Sequence, residues 1–385
     1  MKQRVLVVFI DAFGAAQLGQ LGTSLASFPH RRALGGVLGY SSGALATVLT
    51  GAPPRDHGRM CLFRAVPGME EGILRPLRFL GLLPRFIHER PRVRSAVAQA
   101  FARASDLTGY VALQRVPPEA FEWLDLPERE DLFAARDIGG VPTFLSEARD
   151  AGLSVYAAPW QVREDLRWKQ ALEAIRQQQP DLAFLYATVL DARLHHHGNV
   201  HEVVEQTFAE LDVQIERVRE AMTVGGGDLT TLVVGDHGMA DVTTEIDPRP
   251  LLRVSDARVF VDSTMMRIWG DRVQIELARR MVKRRAWPGI WLDEAALVER
   301  SAHLTSCGDA FFLLDEGAIF VPSYMGVSLR GMHGYDVGTP SACAALVSDR
   351  TIPRGVASLT DLAQLVRARL GGDERSTDYP RSAGA

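Results

Sequence analysis

The stretch Leu229-Thr-Thr-Leu-Val-Val-Gly-Asp-His-Gly-Met239 decides how the rest of the chain is read. Thr230 to Val234 is a β-branched and apolar run, the pattern of a strand buried on both faces. The run stops at Gly235, and Asp236 and His237 stand side by side after it. In an open parallel α/β sheet, ligands bind just beyond the carboxyl ends of the strands. A carboxylate and an imidazole at such an end are placed to hold a metal or a phosphate. The plainer alternative is a solvated turn that contains Asp and His. What other strand ends carry decides between the two.

Val5 to Ile10 is a second buried strand, and it too ends in a carboxylate, Asp11. Leu182 to Tyr186 is a third, followed closely by Asp191 and the run His195-His196-His197-Gly198. Late in the chain, Gly331-Met-His-Gly-Tyr-Asp336 contributes His333. Between these lie helical segments. Thr143 to Gly152 ends in glycine, and Asp165 to Gln178 precedes the third strand. Val204, Phe208, Leu211, Ile215, Val218 and Met222 recur at three- and four-residue spacing, an amphipathic helix. Strands alternating with helices predict an α/β fold with a mostly parallel central sheet and helices on both faces.

Gly35 to Tyr40 reads as a glycine-rich loop, and Ser41-Ser42 leads into the apolar segment Ala44 to Leu49. Thr50-Gly51 closes that segment, with Pro53-Pro54 beyond. Ser41 or Ser42 is therefore expected at a helix N-terminus. From Arg64 to Arg103 the composition turns both apolar and arginine-rich, broken by Pro76, Pro84 and Pro91. This segment, 64–103, is expected to be a helical insertion. Residues 250–330 carry short strands and a basic helix and predict a small α+β subdomain. The α/β core then comprises 1–63, 104–249 and 331–370, and the polar tail 371–385 is expected to be disordered.

The totals narrow the class. The 385 residues are 46% hydrophobic, enough for a large core. A net charge of -4 gives no sign of a nucleic-acid polymer as partner. Cys61, Cys307 and Cys343 are too few and too scattered for a disulfide framework, which fits a reducing compartment. The N-terminal apolar run is broken by Asp11 and reads as no signal peptide, and no run is long enough to span a bilayer. A cytoplasmic protein is expected.

Asp11, Asp191 with His195, Asp236 with His237, and His333 offer oxygen and imidazole donors in number enough for two divalent cations. Two such cations can clamp a phosphoryl group. A serine at a helix N-terminus beside them has the positive end of the helix dipole to hand and a hydroxyl that a metal activates. Taken singly, each feature has a plain alternative: a capping aspartate, a solvated histidine run, a Ser-Ser N-cap. Their joint order and spacing argue for a site.

In that order and spacing the chain resembles the alkaline phosphatase superfamily, and most closely its type I phosphodiesterase/nucleotide pyrophosphatase branch. The resemblance rests on Asp11 at the end of the first strand. It rests on Ser41, nine residues before Thr50-Gly51, with Pro54 and His57-Gly58 following. Asp191 with His195 and later Gly198, Asp236 to Met239, and His333-Gly334-Tyr335 complete it. The resemblance implies one zinc held by Asp191, His195 and His333, and a second by Asp11, Asp236, His237 and the Ser41 oxygen, with manganese as the alternative metal. It implies a small anionic phosphate-ester substrate, either a phosphodiester or a pyrophosphate, and a phosphoseryl intermediate on Ser41, or on Ser42 if the register slips by one.

Two features depart from that branch. Leu62 stands where its members carry a phosphate-binding asparagine, and Ser42-Gly43-Ala44 replaces its usual Phe-Pro-Asn. A phosphomonoesterase or phosphonate hydrolase of the same fold therefore remains an alternative, as does a binding protein without catalysis. Arg75, Arg78 and Arg85 of the insertion are the candidates for contacting a second anionic part of the substrate.

Overall fold

A computed structural model of the chain describes residues 2–66, 72–253, 256–302, 305–326 and 328–372. All but the first two residues of the expected tail lie outside the described residues. The central sheet is built from β1 (Gln3–Ile10), β2 (His30–Leu34), β3 (Val155–Ala157), β4 (Leu182–Ala187), β5 (Asp228–Val234) and β6 (Ala344–Ser348). Their order across the sheet is β2-β6-β5-β1-β4-β3. β1 pairs in parallel with both β5 and β4, and β3 pairs in parallel with β4, so the middle of the sheet is parallel as expected. β6 runs antiparallel between β5 and β2.

β1 lies at the centre because it is apolar on both faces, and Val5 to Ile10 are all buried. One face packs Leu6, Val8 and Ile10 against Phe208, Leu211 and Ile215 of helix His201–Thr223. The other packs Val5, Val7 and Phe9 into a cluster with Ala46, Val48 and Leu49 of helix Ser41–Thr50 and Leu362 and Val366 of helix Leu362–Leu370. The helix that begins at Ser41 is thus held by its apolar body under the sheet. It ends at Gly51, whose φ of 78° is the left-handed conformation glycine adopts without strain.

The parallel register brings the ends of β1, β4 and β5 level, since Phe9 faces both Tyr186 and Val234. Past β5 the chain passes so close to the turn after β1 that a Cβ on Gly235 would meet the Phe13 carbonyl oxygen at 2.0 Å. Only glycine fits there, and the approach sets Asp236 beside Asp11.

The small subdomain has a four-stranded antiparallel sheet, ordered Arg258–Val261, Met265–Trp269, Ala310–Leu314, Gly289–Leu292, with helix Arg272–Arg284 against it. Ala318–Phe320 does not join that sheet; it pairs in parallel with Thr244–Ile246. The arginine-rich segment is a 3-10 helix (Arg75–Leu82), a single turn (Arg85–His88) and a longer helix (Pro91–Ala104), with a proline at the first or second position of the 3-10 and longer helices. Its apolar cluster reaches further than 64–103. Leu74, Leu77 and Leu80 pack with Leu113, Val116, Phe121 and Leu124, and on Phe260 of the small subdomain.

Candidate active site

The expected ligands converge at the level strand ends. Asp11 follows β1 directly, and Ala12 after it has a φ of 65°, a strained value for a residue with a side chain. That turn aims the Ala12 N–H at Asp236 Oδ1 (3.1 Å), which also accepts from the His237 N–H (3.1 Å). Asp236 is fixed by two backbone donors through one oxygen, and its Oδ2 is left buried without a hydrogen bond among the described residues. Oδ2 lies 3.2 Å from His237 Nε2.

Two of the three histidines are oriented by the backbone, and the buried Nδ1 of the third, His333, has no hydrogen-bond partner among the described residues. His237 Nδ1 donates to the Gly238 carbonyl (2.8 Å) and His195 Nδ1 to that of Gly331 (2.8 Å). In the neutral rings this leaves each Nε2 with its lone pair turned inward. Asp191 and His195 are four residues apart on helix Val189–His197, so both project to one side. Asp191 Oδ1 is 3.2 Å from His195 Nε2 and 3.7 Å from His333 Nε2. His333 stacks on His237 with ring centroids 3.7 Å apart.

Asp191, His195 and His333 each bring a ligand atom within 4.8 Å of the others, and so do Asp11, Asp191 and His237. Asp191 therefore stands between two groups of donors, and Asp236 adjoins the second. Carboxylate oxygens facing imidazole lone pairs, several with no proton to share, form an electrostatically frustrated cluster that a divalent cation relieves. The donor set fits such an ion.

The acid–base state of these groups carries the same strain. Burial, then repulsion from Asp236 and Asp191, holds the Asp11 carboxyl well above its ordinary value. Burial, with a contribution from Asp191, raises Asp236 to about 7. His333 is pushed well down by burial and by the neighbouring His237 and His195. Burial also pushes His195 down, but its contact with Asp191 outweighs that and the net shift is upward.

Ser41 occupies the first turn of its helix, with Tyr40 rather than a serine at the N-cap. Its hydroxyl is therefore not spent on capping. Ser41 Oγ lies 3.0 Å from His237 Nε2 and donates to Asp11 Oδ1 at 3.3 Å. Ser42 also lines the cavity, but the contacts to Asp11 and His237 are made by Ser41. His57, part of the same sequence motif, does not reach the site. It is buried under the helix, bonded to Thr47 Oγ1 (3.0 Å), and burial lowers its pKa to about 4.

A cavity of about 630 Å³ opens over the cluster. Asp11, Ser41, Asp191, His195 and His333 form its floor, and Leu62, Leu132, Phe133, Trp160 and Met325 are among its apolar walls. Tyr110 and Trp160 meet edge to face with centroids 5.7 Å apart. Leu62 does face this space, and the lining also carries the side-chain amide of Gln114. Among the described residues the one arginine in the lining is Arg167, whose guanidinium is held by the carbonyls of Trp160, Val162 and Tyr186.

The structure does not bring Arg75, Arg78 or Arg85 to this cavity. Arg78 pairs with Glu122 (2.6 Å) and the exposed Arg85 with Glu89 (3.3 Å). Arg75 is half-buried in the insertion. Sequence reasoning missed Tyr186, whose hydroxyl donates to Asp11 Oδ2 at 2.7 Å. A polar-tipped aromatic at the carboxyl end of a strand was the available signal. It also missed Tyr40, which bonds Thr264 Oγ1 (2.9 Å) and so ties the loop before Ser41 to the small subdomain.

A mostly parallel sheet with carboxylates and imidazoles gathered at its strand ends, beside a helix-borne serine, is the architecture of the alkaline phosphatase superfamily. Residues 89–336 match the family model for type I phosphodiesterase / nucleotide pyrophosphatase, and the chain belongs to that family, whose members are hydrolases acting on phosphate esters. No curated protein matches the sequence. Among solved structures, human ectonucleotide pyrophosphatase / phosphodiesterase 5 superposes with a TM-score of 0.68 at 14% identity, covering 96% of this chain and 95% of that one. The murine protein gives 0.68 at 15% identity over the same shares. An inactive murine form in complex with AMP gives 0.67 at 16%, again covering 96% and 95%. At these identities the likeness establishes the fold.

Proposed function

We propose that the protein hydrolyses a phosphodiester or pyrophosphate-type ester with Ser41 as nucleophile and two divalent cations as cofactors. The observation that carries this reading is the position of Ser41 Oγ, 3.0 Å from His237 Nε2 and 3.3 Å from Asp11 Oδ1, on the first turn of a helix. Asp191, His195 and His333 would hold one cation, and Asp11, Asp236, His237 and the Ser41 oxygen the other. The mix of imidazole and carboxylate suits zinc, with manganese as the alternative. When bound, such ions lower the pKa of a coordinated hydroxyl and neutralise charge on the phosphoryl oxygens.

The chain's own residues account for the remaining requirements. Ser41 Oγ attacks phosphorus, its proton leaves to solvent, and the P–O bond to the leaving alcohol or phosphate breaks. Water then cleaves the phosphoseryl ester and restores the hydroxyl. The helix N-terminus favours the anionic substrate at Ser41. Tyr186 fixes Asp11, and the Gly238 and Gly331 carbonyls fix the two imidazoles.

The apolar and aromatic walls, with Arg167 already committed to carbonyls, support an organic group of aromatic or apolar character on the substrate's far side. AMP in the inactive murine relative is in line with that chemistry. The three free cysteines support a reducing compartment, the cytoplasm. A phosphomonoesterase or phosphonate hydrolase is the second reading, favoured by Leu62 in the cavity wall. Parallel kinetics on bis-p-nitrophenyl phosphate and p-nitrophenyl phosphate test the choice. A higher kcat/KM on the diester is expected, and a higher value on the monoester would favour the second reading.

A further inference from the structure

Four large apolar side chains of the arginine-rich insertion stand in solvent: Phe79 (57% exposed), Leu82 (81%), Leu83 (42%) and Phe86 (68%). The local structure explains why. The 3-10 helix Arg75–Leu82 and the turn Arg85–His88 are short, and each buries one side only, through Leu77, Leu80 and His88. Single exposed leucines are ordinary, but four such exposed residues within positions 79 to 86 are more than scatter and point to an interaction surface.

Beside the patch lies a second cavity, of about 820 Å³, between the insertion and the small subdomain. Gly81 and Arg85 belong to both the exposed stretch and the cavity lining, so patch and cavity adjoin. The lining holds five arginines against two glutamates, in a chain whose net charge is -4. Arg94 is committed to the carbonyls of His88 and Val116, and Arg249 to Asp247. Arg115 and Arg253 are exposed and make no side-chain hydrogen bond or ion pair among the described residues. His88 lines the same space, is 6% exposed, and its Nδ1 has no hydrogen-bond partner among the described residues.

An apolar patch next to a basic, incompletely partnered cavity matches the two layers of a membrane surface, acyl boundary and anionic headgroup. We propose that this edge of the protein docks on an anionic lipid surface, with Phe79, Leu82, Leu83 and Phe86 entering the interface and the arginine-lined cavity taking headgroup phosphate. No long amphipathic helix is required, because two short turns present the apolar side chains. No described helix is long and apolar enough to cross a membrane, so the contact is peripheral. The docked edge is also one backbone layer from the catalytic cavity: Gln114 and Met325 line the catalytic side, their neighbours Arg115 and Tyr324 the basic side.

The test is co-sedimentation of the full chain with phosphatidylcholine vesicles and with vesicles containing about 30% phosphatidylserine. Binding about tenfold or more tighter to the anionic vesicles is expected, and weakening as salt rises. Leu82→Ser/Phe86→Ser and Arg115→Glu/Arg253→Glu should each weaken it about fivefold or more, with turnover of a soluble aryl diester unchanged. All four positions are exposed, and thermal melts of both double variants verify that the fold is retained. Equal affinity for neutral and anionic vesicles, or binding indifferent to both pairs of substitutions, would overturn the proposal. So would a dimer on size exclusion that Leu82→Ser/Phe86→Ser disperses, since a second copy would then cover the patch. Saturable binding of inorganic tripolyphosphate without any vesicle binding would assign the cavity to a soluble anion instead.

Discussion

Tyr186→Phe removes one hydroxyl and leaves the ring in place against Phe9 and Phe133, whose centroids lie 5.5 and 5.9 Å away. The lost bond is the 2.7 Å donation to Asp11 Oδ2. Burial, and then the Asp11 charge, holds the phenol well above its ordinary pKa, so it is protonated and can only donate to that oxygen. A hydrogen bond to a charged group contributes about 1.5–3 kcal/mol. Removing it frees Asp11 to rotate away from Ser41 and raises its affinity for a proton. Loss of such a partner behind a metal ligand costs about 10–100-fold in metal affinity, or about 1.4–2.8 kcal/mol. The assay is zinc titration against a competing chelator, with kcat/KM measured at saturating zinc. The expected result is weaker zinc binding, displaced at a higher pH than in the parent, with activity largely recovered at excess metal. Unchanged zinc affinity would refute the claim that Asp11 is a ligand oriented by Tyr186.

The stabilisation that zinc confers, read as the rise in Tm over chelator-treated protein, should grow as pH rises from about 4 toward about 7. The sign follows from Asp236, whose folded pKa is raised to about 7. The metal-free fold binds a proton there that the unfolded chain has already lost, so its stability falls as pH rises through this window, and the metal-bound fold has no such proton to lose. A zinc effect independent of pH would count against carboxylate ligation. Arg78→Ala and Arg85→Ala should change kcat/KM by no more than about twofold on any ester, because both arginines pair with surface glutamates away from the cavity. A large loss specific to one substrate would return them to the site. Arg167→Ala should lower Tm markedly, since three carbonyls lose their donor and the Trp160 wall its anchor; an unchanged Tm would dismiss that structural role.

Much of the candidate site's gathering of donors was legible because each candidate ligand sits where a local signal ends. β5 is a β-branched apolar run that must be buried, and Gly235-Asp236-His237 is what its carboxyl end presents. β1 and Asp11 repeat the pattern, and Asp191 with His195 shows helical spacing. The helix after Ser41 was legible from its glycine stop. The missed parts depend on contacts distant in sequence. Leu113, Val116 and Phe121 extend the insertion's core because they meet Leu77 and Leu80 in space. Ala318–Phe320 pairs with Thr244–Ile246, a partner that no local pattern announces. Gly289–Leu292, just after Pro288, completes a sheet with Ala310–Leu314, a pairing that the local sequence does not announce. Tyr186 reads as one more core aromatic, and only the neighbouring strand shows that its hydroxyl meets Asp11. The arginines at positions 75, 78 and 85 were placed at the site on charge alone, and charge carries no address.

The central claim is that Ser41 forms a covalent bond to phosphorus in a site built for two cations. Acid quenching of the zinc-loaded protein during turnover of bis-p-nitrophenyl phosphate, followed by mass spectrometry, tests it most directly. The account predicts a p-nitrophenylphosphoryl adduct on the peptide carrying Ser41, one p-nitrophenolate having left, at that residue and not Ser42, absent after chelation and absent in Ser41→Ala, which should lose at least about 1,000-fold in kcat. An adduct-free protein with Ser41→Ala fully active would contradict it.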